Sequence, residues 1–139
     1  VFMNPVRNPY DTALEILEQK GDALISILDF HGEATSEKKA LGLWLDGKIT
    51  CIYGTHTHVQ TADEEILPGG TAYITDIGMT GPYRSIIGMD PALAISRLRT
   101  GFAKGQKAAE GPCMLCGILV VADRDTGKAL EIKRIQVKE

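Results

Sequence analysis

Residues 48–58 read K-I-T-C-I-Y-G-T-H-T-H, and the reading of this stretch decides the fold. Ile49, Cys51, Ile52 and Tyr53 make a short apolar run rich in β-favouring residues and closed by Gly54, so a strand is expected. It ends at His56 and His58, two of the chain's three histidines. Upstream, A-L-I-S-I-L-D-F (23–30) is a second continuous apolar run, bounded by Asp22 and the polar H-G-E-A-T-S-E-K-K, and it reads as a strand buried on both faces. The third histidine, His31, stands at its end. Loops beyond the C-terminal ends of adjacent strands are where open α/β sheets place their sites.

The flanking segments supply the rest of an α/β chain. Ala13, Leu14, Ile16 and Leu17 recur at helical spacing within 9–20, with Gly21 as the stop. Residues 34–45 carry acidic side chains early, an apolar second half and a D-G stop, which predicts a second helix. E-I-L-P-G-G-T-A-Y-I-T (65–75) reads as a hairpin turning at Pro68-Gly69-Gly70, and the glycine-rich 76–90 as a loop. Asp90-Pro91 opens a helix that closes near Gly101. The last hairpin pairs 114–123 with 128–139 across R-D-T-G. The expected order is α-β-α-β-ββ-α-ββ, a mixed sheet with helices in one domain spanning 1–139.

Composition excludes several function classes. A net charge of −3 leaves no basic excess to draw nucleic acid or an anionic membrane. No stretch reaches the roughly 18 consecutive apolar residues of a membrane span, and V-F-M-N-P-V-R-N-P-Y-D lacks a signal-peptide pattern. Three cysteines, Cys51, Cys113 and Cys116, are too few and odd in number for a disulfide framework; they suit a reducing, cytoplasmic compartment. Cys113 and Cys116 form a C-x-x-C with no second pair, and they read as ordinarily buried thiols.

The histidines carry the chemical signal. In extended chain, residues two apart face the same side, roughly 7 Å apart, so His56 and His58 can serve one metal or one each of two neighbours. With His31 converging from the adjacent strand, three imidazoles favour Zn, Fe or Mn over Mg or Ca. The alternative is three partly exposed polar side chains. Asp29 is placed to orient the His31 ring as an outer carboxylate. Gly78, Gly81 and Gly88 read as turn residues, and Lys38, Lys39 and Arg84 as solvated surface cations.

From Phe30 to Asp90, and more loosely beyond, the sequence D-F-H-G-E-A-T…Y-G-T-H-T-H-V-Q-T-A-D…I-T-D-I-G-M-T-G-P-Y closely resembles the YmdB-like family of bacterial metallophosphoesterases, within the calcineurin-like superfamily. The resemblance implies a 2′,3′-cyclic-nucleotide 2′-phosphodiesterase activity and the C-terminal half of a metallophosphoesterase β-sandwich flanked by helices. It makes His31 the isolated histidine ligand, shared with His56 on one metal, and gives the second metal to His58; Thr55 stands as an insertion after Gly54 in the family's G-H-x-H element. Two transition metals, Fe or Mn with Zn possible, are implied, together with a small phosphodiester substrate. Thr55, Thr57 and the loop from Gly78 to Gly81 are expected beside that substrate from adjacency alone. The superfamily's first-strand aspartate, bridging acidic residue and proton-donating Asn-His pair have no counterpart here. No catalytic residue is therefore assigned in this chain, and with Val1 in place of an initiator it reads as a C-terminal portion.

Three functional readings follow. The first is the histidine half of a two-metal phosphodiesterase, completed by an N-terminal half or by self-association, with nucleic acid excluded except as small cyclic nucleotides. The second is a non-catalytic oligomerising or binding remnant of the same fold. The third is a mononuclear zinc hydrolase with three histidine ligands, for which the sequence offers neither a clear general base nor a phosphate clamp.

Overall fold

The computed structural model describes residues 7–102 and 105–139. Helix α1 (Pro9–Glu18) opens with Pro9 in its first turn and with Asn8 as N-cap, the side chain accepting from the Tyr10 N–H. Strand β1 (Ile27–His31) leads to α2 (Thr35–Trp44), then β2 (Cys51–Thr55), β3 (Glu65–Ile66) and β4 (Ala72–Ile74). A two-residue strand β5 (Gly81–Pro82), helix α3 (Pro91–Thr100) and the long strands β6 (Cys113–Ala122) and β7 (Ala129–Lys138) complete the chain. Asp90 caps α3 by accepting from the Leu93 N–H, and Gly101 closes it in the left-handed region at φ 75°.

The strands form two sheets. The first has the order β1-β2-β4-β3, parallel except for the β3–β4 hairpin. The second, β5-β6-β7, is antiparallel. Alternation along β2 and β4 explains how they stack. Ile52 and Tyr73, paired in register, pack with Leu41 of α2, its C-cap Leu45, Ile49 and Leu67, with α1 covering this cluster through Tyr10, Ala13, Leu14 and Leu17. Their neighbours Cys51 and Ala72 face the other way and meet Ala129, Ile118, Val120 and Ile132 of the second sheet. The result is α1 and α2, sheet, sheet: the α/β sandwich that the family resemblance implies, with two sheets where the residue pattern alone predicts one mixed sheet. Gly42 makes the first contact possible, because a Cβ there would lie 2.6 Å from the Tyr73 ring.

One strand departs from expectation. The apolar run 23–30 is not a strand buried on both faces: β1 starts only at Ile27, stands at the edge of its sheet, and leaves Leu24, Ile25 and Ile27 exposed. A continuous apolar run signals faces to be covered, and it does not say by which part of a structure. Among the described residues, no helix is long and apolar enough to cross a membrane.

Candidate metal centre

Strands β1 and β2 are parallel, with His31 paired in register to Thr55. The end of one strand thereby stands beside the turn that leaves the other. Nε2 of His31 lies 3.2 Å from Nδ1 of His56, the rings meeting edge to face at 78° with centroids 5.0 Å apart. Two imidazole nitrogens, each about 2.1 Å from one ion and subtending about 90–110°, stand about 3.0–3.4 Å apart. The observed separation lies in that range; without a metal it is spanned by a hydrogen bond between the two rings, and an ion would replace that shared proton.

The other nitrogen of His31 fixes its protonation. Thr55 Oγ1 donates to Asp29 Oδ1 at 3.1 Å, so the hydroxyl oxygen is left to accept from Nδ1 of His31, also at 3.1 Å. A proton on Nδ1 leaves the Nε2 lone pair turned towards His56, the tautomer a ligand needs. Asp29 thus reaches the ring through Thr55 rather than by direct contact.

His58 does not join this pair. Its Nδ1 donates to the Ile87 carbonyl at 3.0 Å, which leaves Nε2 as acceptor. Among the described residues, no three His, Cys, Asp or Glu side chains gather as a ready metal cage. Three converging imidazoles are expected from sequence; two converge. The reason lies in the backbone, since the extended alternation stops at Thr55: His56 has φ 118° and His58 φ 67°. Ile87, which receives the His58 bond, is also left-handed at φ 47°. Such conformations cost about 1–3 kcal/mol each at non-glycine residues and persist only where the surroundings over-determine them.

Asp76, just beyond β4, does much of that determining. Its Oδ2 accepts from the N–H of Thr57, the residue between the two histidines, at 2.9 Å, and its Oδ1 accepts from the Gly78 N–H at 2.9 Å. Lys38 of α2 donates to Oδ2 at 3.0 Å, and both side chains are only 1% exposed. Burial works against the charged form of Asp76, but the Thr57 and Gly78 N–H groups and the Lys38 ammonium outweigh it and hold the carboxyl below its usual range. Lys38 is therefore no solvated surface cation. Gly54 makes room for it: a Cβ at 54 would come within 1.9 Å of the Thr75 carbonyl oxygen and 2.7 Å of Lys38 Cδ. Lys39 and Arg84 do sit on the surface.

The threonines are locally engaged, Thr55 as above and Thr57 through a 3.1 Å bond from its hydroxyl to the Val59 carbonyl. Met79, in the glycine-rich loop, donates its N–H to the His58 carbonyl at 3.2 Å, so that loop lies against the histidine turn. Gln60 then ties the turn to the second sheet. Its Nε2 stands 2.9 Å from the Gly117 carbonyl, 3.3 Å from Ile77 and 3.4 Å from Ile135. Cys113 and Cys116, three apart on β6, project to opposite faces as half-buried free thiols, while burial pushes the Cys51 thiol up to about 11.

The histidines are legible in the sequence, and the roles of Asp76 and Lys38 are not. They lie 38 residues apart, and only a polar residue closing an apolar strand, I-T-D-I-G, hints at the first.

Known proteins place this geometry in context. The chain is 47% identical over 139 residues to a 2′,3′-cyclic-nucleotide 2′-phosphodiesterase of Bacillus subtilis, covering 99% of this chain and 53% of that protein. A putative phosphatase/phosphodiesterase of Mycoplasma pneumoniae is 39% identical over 133 residues, covering 95% and 47% respectively. The chain spans about half the length of the curated relatives it matches. Among solved structures, a hypothetical protein from Thermus thermophilus superposes with a TM-score of 0.92 at 38% identity, over 99% of this chain and 54% of that one. A novel phosphatase from Mycoplasma pneumoniae superposes with a TM-score of 0.89 at 38% identity, over 94% and 47%. The description "YmdB-like protein" matches residues 1–135, and the chain belongs to the YmdB-like family.

Proposed function

We propose that this chain supplies the histidine side of a metal-dependent, cytoplasmic phosphodiesterase acting on small phosphodiesters such as 2′,3′-cyclic nucleotides. The observation that carries the reading is the 3.2 Å separation of His31 Nε2 and His56 Nδ1, with the tautomer of His31 set from behind by Thr55 and Asp29. The names of the Bacillus and Mycoplasma relatives give it its substrate class.

In this reading His31 and His56 hold one transition-metal ion, and His58 offers Nε2 to a second, its Nδ1 being occupied by Ile87. Iron or manganese fits imidazole with hard partners, and zinc fits imidazole as well. When bound, such ions neutralise charge on phosphoryl oxygens and lower the pKa of water. The chain's own residues orient. Thr55 keeps the His31 proton on Nδ1, and Asp76 holds Thr57 so that the histidines on either side leave it at fixed angles. Thr55 and Thr57 flank His56 and border the phosphate. The carboxylate ligands and the proton donor come from a complementary N-terminal half or from an associated copy, and this chain assigns no catalytic acid of its own.

The test is hydrolysis of 2′,3′-cyclic AMP by the chain joined to a complementary N-terminal half and loaded with Mn²⁺ or Fe²⁺, alongside metal content. His31→Ala and His56→Ala are each expected to lower bound metal and to cut turnover by more than about a hundredfold. If the chain, joined to a complementary N-terminal half and loaded with metal, leaves both cyclic nucleotides and bis(p-nitrophenyl) phosphate intact, the reading is wrong.

The exposed edge of β1, with Ile27 63% exposed, favours a second reading in which the domain associates through that edge without catalysis. It requires a stable oligomer with far less than one metal per chain, which light scattering and elemental analysis of one sample decide together.

A further inference from the structure

Beside His58, and lined by neither His31 nor His56, the described residues border a half-open cavity of about 440 Å³. That lies within the roughly 300–1,000 Å³ typical of small-molecule sites. One wall is His58 itself; Met79, Ile86, Ile87 and Met114 give apolar walls and Tyr83 an aromatic one. Gln136 adds an amide, which offers both a donor and an acceptor to the edge of a planar ligand.

The walls are tied in place. Ile86 and Met89 exchange backbone hydrogen bonds at 3.1 and 2.9 Å. Ser85 Oγ donates to the Pro82 carbonyl at 2.6 Å and accepts from the Gly88 N–H at 2.8 Å. Tyr83 donates its N–H to the Pro112 carbonyl at 3.3 Å, which joins the loop to the β6 side. The His58–Ile87 bond then closes the rim, holding two left-handed residues where the cavity meets the histidine turn. Backbone strain at a rim that is otherwise cross-braced marks a built feature rather than a gap between loops. A pocket of this kind takes a flat, mostly apolar group with one or two polar edge atoms.

We propose that the cavity receives the planar heteroaromatic substituent of the phosphodiester, a nucleobase, while the phosphate lies at the histidines. This rests on the phosphodiesterase reading for the position of the phosphate alone. Aromatic and methionine side chains attract any base through its π-face, so the pocket selects for a nucleoside substituent over a small alkyl one and discriminates weakly among bases.

Adenosine, which carries a base and no phosphate, is the probe. Calorimetric titration of the intact protein should show saturable binding, weakened by at least about tenfold in Ile86→Glu, with binding of inorganic phosphate held within about twofold. Tyr83→Leu keeps the wall apolar and tests the aromatic contribution should Ile86→Glu fail to fold; it should weaken adenosine by about fivefold or more. In kinetics, either variant should raise KM for 2′,3′-cyclic AMP in the same proportion. If adenosine does not bind, or binds both folded variants as it binds wild type, the pocket is not a base site even though cyclic nucleotides are turned over. If adenosine binds as stated and the chain joined to a complementary N-terminal half hydrolyses no phosphodiester, the pocket stands and the phosphodiesterase reading falls.

Discussion

The histidine turn and the β6–β7 hairpin are built on opposite plans. The hairpin is a long regular ladder from Met114 to Ala122 against Ala129 to Lys138, irregular only at Val121/Ala122, yet it leaves Leu115, Leu119, Val121, Leu130 and Val137 exposed. The turn has no ladder. It holds two left-handed non-glycine residues, His56 and His58, with a third, Ile87, against it, and it is fixed by a buried carboxylate with an ammonium behind it. Regular hydrogen bonding needs no strain and no buried charge, whereas aiming two imidazole nitrogens at one point does.

The largest test of that contrast is Lys38→Met, which leaves Asp76 buried and unpaired. It should destabilise the fold by about 3–5 kcal/mol in chemical denaturation, far more than an exposed lysine could. A loss below about 1 kcal/mol would mean that Asp76 does not depend on Lys38. Gly54→Ala should follow, since its new methyl meets the Thr75 carbonyl; overpacking of this kind costs about 1–3 kcal/mol, read as a fall in Tm.

His56→Gly should go the other way. Relief of the left-handed backbone should add about 1 kcal/mol of stability while bound metal is lost, separating strain from ligation in a single protein. Acid should dissect the same region. Burial opposes ionisation of both Asp76 and Asp63, but hydrogen bonds win and hold both carboxyls below the ordinary range. Because the native values are depressed, their stabilisation is complete above the unfolded value of about 3.9 and disappears as pH falls through the lower native values. Thermal melts should therefore be flat in this respect near neutrality and fall below about pH 4, and Asp76→Asn should flatten part of that fall. The smallest effect belongs to the hairpin: Leu119→Thr or Leu130→Thr should change stability by less than about 0.5 kcal/mol. A larger loss would show that this face is covered in solution.

Local signals carried most of the architecture. Asp90-Pro91 and Gly101 bracket α3, Pro68-Gly69-Gly70 turns the β3–β4 hairpin, and R-D-T-G joins β6 to β7, because caps and turns are written in adjacent residues. The burial of β1 was not legible, since an apolar run does not name its covering. Of the site, the histidine types and their strand-end positions were readable. Their directions were not: a run of T-H-T-H suggests continued extension, and only the tertiary bonds from Asp76 and Ile87 turn His56 and His58 out of it. The burial of Lys38 is hidden in the sequence for the same reason. A charged side chain looks solvated until its partner, 38 residues on, is known.

The Gln60 side chain has a kinetic consequence. Two amide protons serve three carbonyls, of Ile77 beside the histidine turn and of Gly117 and Ile135 in the opposing sheet. Held by carbonyls on both sides, those protons should exchange with deuterium more slowly than those of an ordinary surface glutamine. A single side-chain NH₂ resonance, from the second residue past His58, would then report how long the turn stays fastened to the second sheet.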